Sequence, residues 1–212
     1  MKVLLINGSS RTNGNTALAL DLAGKVLSEQ GIETDKIDIG TKALHGCIGC
    51  GGCARKQNRT CASFDDDPVN GWIQTMLQAD GFIIGSPVYY SGINGALKSF
   101  LDRAFFVASV NGALFRHKVG AAICAVRRAG SLPAIEQINK YFSISEMFMP
   151  SGNYWPMIFG LDKGEAEGDG EGRGTVECLS ANMAWLLKLI EHGRQAVPPP
   201  PTPQKVFTNF IR

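Results

Sequence analysis

No stretch of this 212-residue chain approaches the roughly 20 consecutive apolar residues that a membrane helix needs, so no membrane partner is expected. Charge of one sign is scarce too. The 21 Lys and Arg and 19 Asp and Glu leave a formal net charge of +2, and Arg127-Arg128 is too short to form a basic block. Nucleic acid is therefore not an expected partner. The three histidines, His45, His117 and His192, are scattered, and no acid–base pair or nucleophile stands out. The apolar run at the N-terminus is short and passes straight into a polar loop, unlike a secretory leader. A cytoplasmic location is expected on that ground.

What is present begins at that loop. Val3-Leu4-Leu5-Ile6-Asn7 is a run of β-formers, and Gly8 to Thr16 follows without one apolar side chain. A helical pattern then opens with Leu18, Leu20, Leu22 and Ala23. A strand that breaks into a glycine-bearing loop and re-enters as a helix aims backbone N–H groups at an anion. The Gly-Lys-Ser/Thr tripeptide of a nucleoside-triphosphate loop is missing here, and Gly8 and Gly14 are wrongly spaced for a dinucleotide fingerprint. The hydroxyls of Ser9, Ser10, Thr12 and Thr16 remain, with Arg11 as the only charge. That set suits a terminal phosphomonoester such as the one on FMN. Asn15 or Thr16 is also expected to cap the helix, which explains neither Arg11 nor the length of the polar loop.

Strands and helices alternate along the chain. The pattern predicts strands at Val3 to Asn7, Glu33 to Ile39, Gly81 to Gly85, Lys118 to Val126 and Met147 to Met149. Helices are predicted after Thr16, from Pro68, from Asn94 to about Phe106, from Pro133 to Tyr141, and from Val176 to about His192. A long loop, Gly40 to Asp67, holds four cysteines, Gly160 to Gly174 reads as a mobile loop, and Pro198 to Pro203 opens an extended tail. Such alternation implies an α/β three-layer sandwich, a five-stranded parallel sheet in the flavodoxin-like order 2-1-3-4-5. Residues 1–195 are expected to form one domain with a cysteine-rich insertion at 40–67, and 196–212 a Pro-rich tail. In such sheets ligands lie where strands 1 and 3 diverge. The two richest loops, Gly8 to Thr16 and Ser86 to Gly92, follow those two strands.

Pro87-Val88-Tyr89-Tyr90 is a rigid, aromatic, uncharged segment of the kind a flavin ring needs as a wall, or else a surface tyrosine pair. Arg127-Arg128-Ala129-Gly130 falls on the same rim, near a flavin edge or an incoming nicotinamide nucleotide, or as a solvated basic turn.

These loops resemble the NADPH-dependent FMN reductase family of flavodoxin-like proteins. The matching segments are Gly8 to Thr16, Ser86 to Tyr90, Lys98-Ser99-Phe100-Leu101-Asp102-Arg103 and the more variable Asn153-Tyr154-Trp155. The resemblance implies FMN with its phosphate on Ser9, Arg11, Asn13, Asn15 and Thr16, and its ring on Pro87, Val88, Tyr89 and Tyr90. It also implies a homodimer or homotetramer. Asp102 and Arg103 are read as structural, a helix-surface ion pair or an interface contact.

Cys47-x-x-Cys50-x-x-Cys53, followed by Cys61, is the second conspicuous feature. Tight thiolate spacing of this kind can converge on a [4Fe–4S] cluster, and the glycines at 46, 49, 51 and 52 let the chain wrap. Zinc, a labile disulfide and free thiols stay open. The array also resembles the iron–sulfur flavoproteins of the same superfamily, which implies a cluster that hands electrons to FMN. Cys124 reads as a core thiol and Cys178 as a helix residue.

The function expected is an FMN-dependent oxidoreductase that takes hydride from NAD(P)H and reduces a small acceptor such as a flavin or quinone. The alternative is an electron carrier exchanging electrons with a redox protein partner through FMN and the cysteine-bound cluster.

Overall fold

The computed structural model describes residues 1–202, 206–208 and 210. The rest of the expected tail, 203–205, 209 and 211–212, lies outside the described residues. Five parallel strands, β1 (Lys2–Asn7), β2 (Glu33–Asp38), β3 (Gly81–Pro87), β4 (Val119–Val126) and β5 (Met157–Phe159), form one sheet in the expected order β2-β1-β3-β4-β5. Alternate side chains of a strand leave opposite faces, so a sheet covered on both sides needs near-continuous apolar runs. The central strands have them. Val3, Leu5, Ile83, Ala121 and Ile123 meet α1 (Asn15–Glu29) and α6 (Gly170–Gly193) on one face. Leu4, Ile6, Phe82, Ile84 and Ala122 meet α3 (Val69–Gln78), α4 (Gly95–Val110) and α5 (Ser131–Ile144) on the other. β2, at the edge, is the polar strand.

Three elements differ from expectation. The fifth strand is not Met147 to Met149. That segment keeps a single bridge, Phe148 to Val119, and Pro150 behind it has no N–H with which to continue a ladder. The strand lies ten residues later, where Met157–Phe159 pairs with Cys124–Val126 and buries Ile158 against the α1–α6 layer. The glycine-rich stretch from Gly160 to Gly174 is not a plain loop. It holds a 3-10 turn, Glu165–Gly168, and the first turns of α6. Asp169 makes that early start by accepting from Gly172 N (2.9 Å) and from Phe159 N (2.7 Å), so one carboxylate caps α6 and ties it to β5. The cysteine loop contains a short helix, α2 (Gly52–Lys56), that the sequence pattern did not announce.

Candidate functional site

The rim at the carboxyl ends of β1, β3 and β4 is built from three interlocked loops. Asn7, fully buried at the end of β1, accepts from Ser9 N (3.0 Å) and donates to Asp38 Oδ1 (2.7 Å). Ser9 Oγ in turn accepts from Arg11 N (3.0 Å), and Gly14 N reaches Arg11 O (3.1 Å). Gly14 occupies the N-cap of α1 and has no side chain to cap with, so the first-turn amides are left for a ligand. The loop runs so close to α4 that a Cβ on Gly8 would lie 2.6 Å from Leu97 Cδ2. Behind it, a Cβ on Gly40 would lie 2.2 Å from the carbonyl carbon of Ser9, so the cysteine loop starts in contact with this one.

The side chains singled out in the first loop divide into two sets. Arg11 and Asn13 are exposed, whereas Ser9, Asn15 and Thr16 are buried. Arg11 donates to Leu161 O (3.1 Å). The Asn15 amide is engaged by the 160–168 segment: it donates to Asp162 O (2.9 Å) and accepts from Gly164 N (3.1 Å) and Ala166 N (3.4 Å). Its side chain therefore serves as a clasp.

The second loop meets the first directly, because the hydroxyls of Ser10 and Tyr89 share a hydrogen bond of 3.0 Å. Tyr89 and Gly92 exchange both main-chain hydrogen bonds around a tight turn. The turn forces left-handed backbone on Tyr90 (φ 50°) and Ser91 (φ 60°), and the Tyr90 ring stands wholly in solvent. Left-handed backbone at two non-glycine residues costs of order 1–3 kcal/mol each and persists only where the surroundings hold it. Pro87 and Val88 are half-buried beside it, and Val88 N bonds Ala125 O (3.1 Å). Gly130 (φ 90°) packs the third loop on the second, since a Cβ there would meet Ser91 and Val88 at about 3 Å. The Arg127 and Arg128 side chains are exposed and bond no other described residue. Next to Gly130 opens a cleft of about 640 Å³ walled by Tyr154, Trp155, Met157 and Phe159.

Sequence reading missed several supports: Asn7, Gly40, and Asn94, which donates its N–H to Ser86 Oγ (3.2 Å) and caps α4. An Asn between a buried strand and a glycine, or just before an apolar helix, is the signal that could have found two of them.

Cys47, Cys50, Cys53 and Cys61 line one pocket, together with Ser63, Phe64 and Arg103. Cys53 lies in the first turn of α2 and is buried; Cys47 and Cys50 are exposed. None of the six cysteines is in a disulfide. Among the described residues, no three His, Cys, Asp or Glu side chains are grouped as a ready site for a metal ion. A hydrogen bond with Ser63 Oγ (2.8 Å), helped by Gly52 N–H, holds the Cys50 thiol below its ordinary pKa. Burial raises that of Cys53, with Cys61 and Cys47 nearby adding to the effect. Burial also pushes Cys124 up to about 12, as suits an inert core thiol.

Side chains of α3 and of the α4 C-cap hold this loop's main chain, and one loop side chain holds α4 in return. Asn70 accepts from Cys61 N (2.7 Å) and donates to Cys61 O (3.1 Å), Asn111 donates to Cys53 O (3.4 Å), and Gln57 donates to Val110 O of α4 (2.7 Å). The expected surface pair of Asp102 with Arg103 does not form. Neighbours in a helix sequence point about 100° apart and do not face each other. Asp102 pairs instead with Lys98, one turn back (2.6 Å), and accepts from the Tyr141 hydroxyl. Arg103 turns inward at 1% exposure. It pairs with Asp67 and donates to Cys61 Sγ (3.3 Å), His45 O (3.3 Å) and Phe64 O (3.0 Å).

A doubly wound parallel sheet with a phosphate-type loop after β1 and an aromatic loop after β3 defines the flavodoxin-like class of nucleotide-binding proteins. Fold comparison agrees: a WrbA-like flavodoxin from Agrobacterium tumefaciens superposes with a TM-score of 0.58 at 16% identity, over 88% of this chain and 97% of that one. Residues 1–162 match the NADPH-dependent FMN reductase family, and the chain belongs to it. It is thus, in general terms, an FMN-dependent oxidoreductase. An iron–sulfur flavoprotein of Methanocaldococcus jannaschii is 36% identical over 198 residues, covering 90% of this chain and all of that protein. An iron–sulfur flavoprotein of Methanosarcina thermophila is 31% identical over 196 residues, covering 92% and 99%.

Proposed function

We propose that this chain is an iron–sulfur flavoprotein that passes electrons between a [4Fe–4S] cluster and FMN, and from these to an acceptor. The observation that supports the proposal is the one pocket that Cys47, Cys50, Cys53 and Cys61 all line. The chemistry of the donor set fits: four soft thiolate ligands with flexible backbone between them suit iron–sulfur ligation. The rim fits FMN in its turn. Uncapped amides of α1, the Ser9, Asn13 and Thr16 side chains, the Asn15 main chain and the exposed Arg11 would hold the phosphate, while Pro87 to Tyr90 would wall the ring. When bound, FMN supplies hydride and single-electron chemistry, and the cluster supplies single-electron transfer. The chain's own part is to hold both: the rim loops orient the flavin, and Ser63 and Gly52 steady the Cys50 sulfur.

A second reading, NAD(P)H-dependent reduction of a small acceptor, is favoured by Arg127 and Arg128. Two unpaired guanidinium groups beside an aromatic cleft suit a dinucleotide phosphate and a flat acceptor. In either reading we take the protein to be a cytoplasmic homodimer or homotetramer, with a redox protein as partner in the first. Anaerobic purification with an absorption spectrum and iron, sulfide and flavin assays tests the proposal. Brown protein with equal iron and sulfide supports it, and yellow protein free of iron, prepared without oxygen, rejects it. Anaerobic mixing with NADH and NADPH then shows whether either bleaches the flavin.

A further inference from the structure

Arg103 is not among the residues assigned above to either cofactor, yet among the described residues it is the most deeply buried charge, at 1% exposure. An arginine is removed from water only when its donors are used, and here all three nitrogens are. Two of its partners are main-chain carbonyls, His45 O and Phe64 O, on either side of the cysteine array. One is the Asp67 carboxylate, itself anchored by accepting from Val69 N (3.2 Å) at the start of α3. The remaining one is a sulfur: Nε donates to Cys61 Sγ at 3.3 Å. The Phe64 ring lies 5.2 Å from the guanidinium and stacks on His45, closing that flank. A salt bridge that only fastened a loop would not need an N–H on a cysteine sulfur. Cys61 is also the outlying member of the array, eight residues beyond Cys53, so it needs a fixed direction most.

Resting on the cluster reading above, we infer that Arg103 is a positioning residue for the cluster: it aims the Cys61 thiolate into the pocket and raises the cluster's reduction potential. A hydrogen bond to a ligating sulfur, and positive charge near it, both stabilise the more negative, reduced cluster. The same helix serves the other cofactor. Asn94, the cap of α4, supports Ser86, and Leu97 packs on Gly8, so α4 holds the flavin loops at one end and the Cys61 sulfur about 14 Å further along its axis.

The test uses full-length protein made and kept without oxygen. Removing Arg103 alone would strand the Asp67 carboxylate, so R103M/D67N is compared with D67N, which removes the carboxylate charge alone, and R103K is made beside them. The expected result is a cluster potential more negative in R103M/D67N than in D67N, a smaller negative shift from native in R103K, and a flavin potential unmoved in all three. Loss of iron from the double variant with fold and flavin intact also supports the inference, because Cys61 would then be unheld. Independently of any variant, native protein labelled with 15N-arginine should show one guanidinium nitrogen coupled to the reduced cluster in pulsed electron paramagnetic resonance. A fully loaded double variant with the same cluster potential as D67N, or no nitrogen coupling in the native protein, overturns the role of Arg103 alone. Native anaerobic protein without iron and sulfide overturns the cluster reading and this inference with it.

Discussion

Arg11 is the one charge in the Gly8–Thr16 loop, and its guanidinium faces solvent and donates to Leu161 O. A phosphate of about −2 charge would draw it into a charge-assisted hydrogen bond of roughly 1.5–3 kcal/mol. Arg11→Ala should therefore weaken FMN about ten- to a hundredfold in a titration, with riboflavin nearly unaffected; equal losses would remove Arg11 from the phosphate site. Tyr90 makes a different test because its backbone is left-handed. Tyr90→Ala keeps that strain and Tyr90→Gly relieves it, so the glycine variant should be more stable by about 1 kcal/mol in thermal unfolding. Both should lose the ring contact and bind FMN more weakly to a similar extent. The position of Ser9, Arg11 and the Pro87–Tyr90 run at the carboxyl ends of β1 and β3 was legible, because a polar or aromatic loop after a buried strand stands out from the apolar pattern. The inward turn of Arg103 was not, since Asp102 beside it offered a partner that helix geometry rules out.

At the scale of elements, order and type were readable wherever apolar period and length agreed, as in β1, β3, β4, α4 and α5. The short β5 was not. Three residues carry too little pattern to tell Met157–Phe159 from Met147–Met149, and what separates them is a tertiary matter, the burial of Ile158. The start of α6 was hidden because its glycines read as breakers, while the Asp169 cap outweighs them. Asn15 shows how such a segment is kept in place. Asn15→Ala would leave Gly164 N and Ala166 N without their acceptor, a loss of about 1–3 kcal/mol. Those two amides should exchange hydrogen faster, and proteolysis should find the 160–168 segment; unchanged exchange would refute the clasp. Gly40→Ala should act across two loops at once. A methyl group 2.2 Å from the Ser9 carbonyl carbon must push backbone, for about 1–3 kcal/mol of destabilisation and a matching rise in the FMN dissociation constant.

For the whole molecule, a ligand bound only by the folded state adds its binding energy to stability. FMN at a hundredfold its dissociation constant should contribute about 2.7 kcal/mol. In a chain of this size that raises the melting temperature by about 5–10 °C. Riboflavin at the same concentration should give a smaller rise, and equal rises would place the phosphate outside the binding site. The cysteine loop stands in another relation to the molecule. It hangs between β2 and α3 without adding a strand to the sheet, and Asn70 of α3, Arg103 of α4 and Asn111 at the α4 C-cap grip its main chain. An attachment of that kind is portable. Losing the loop would strip the Arg103 guanidinium of Asp67 and Cys61. A guanidinium without those partners could not remain buried, so a chain without the loop would have to turn that side chain out to solvent or replace it.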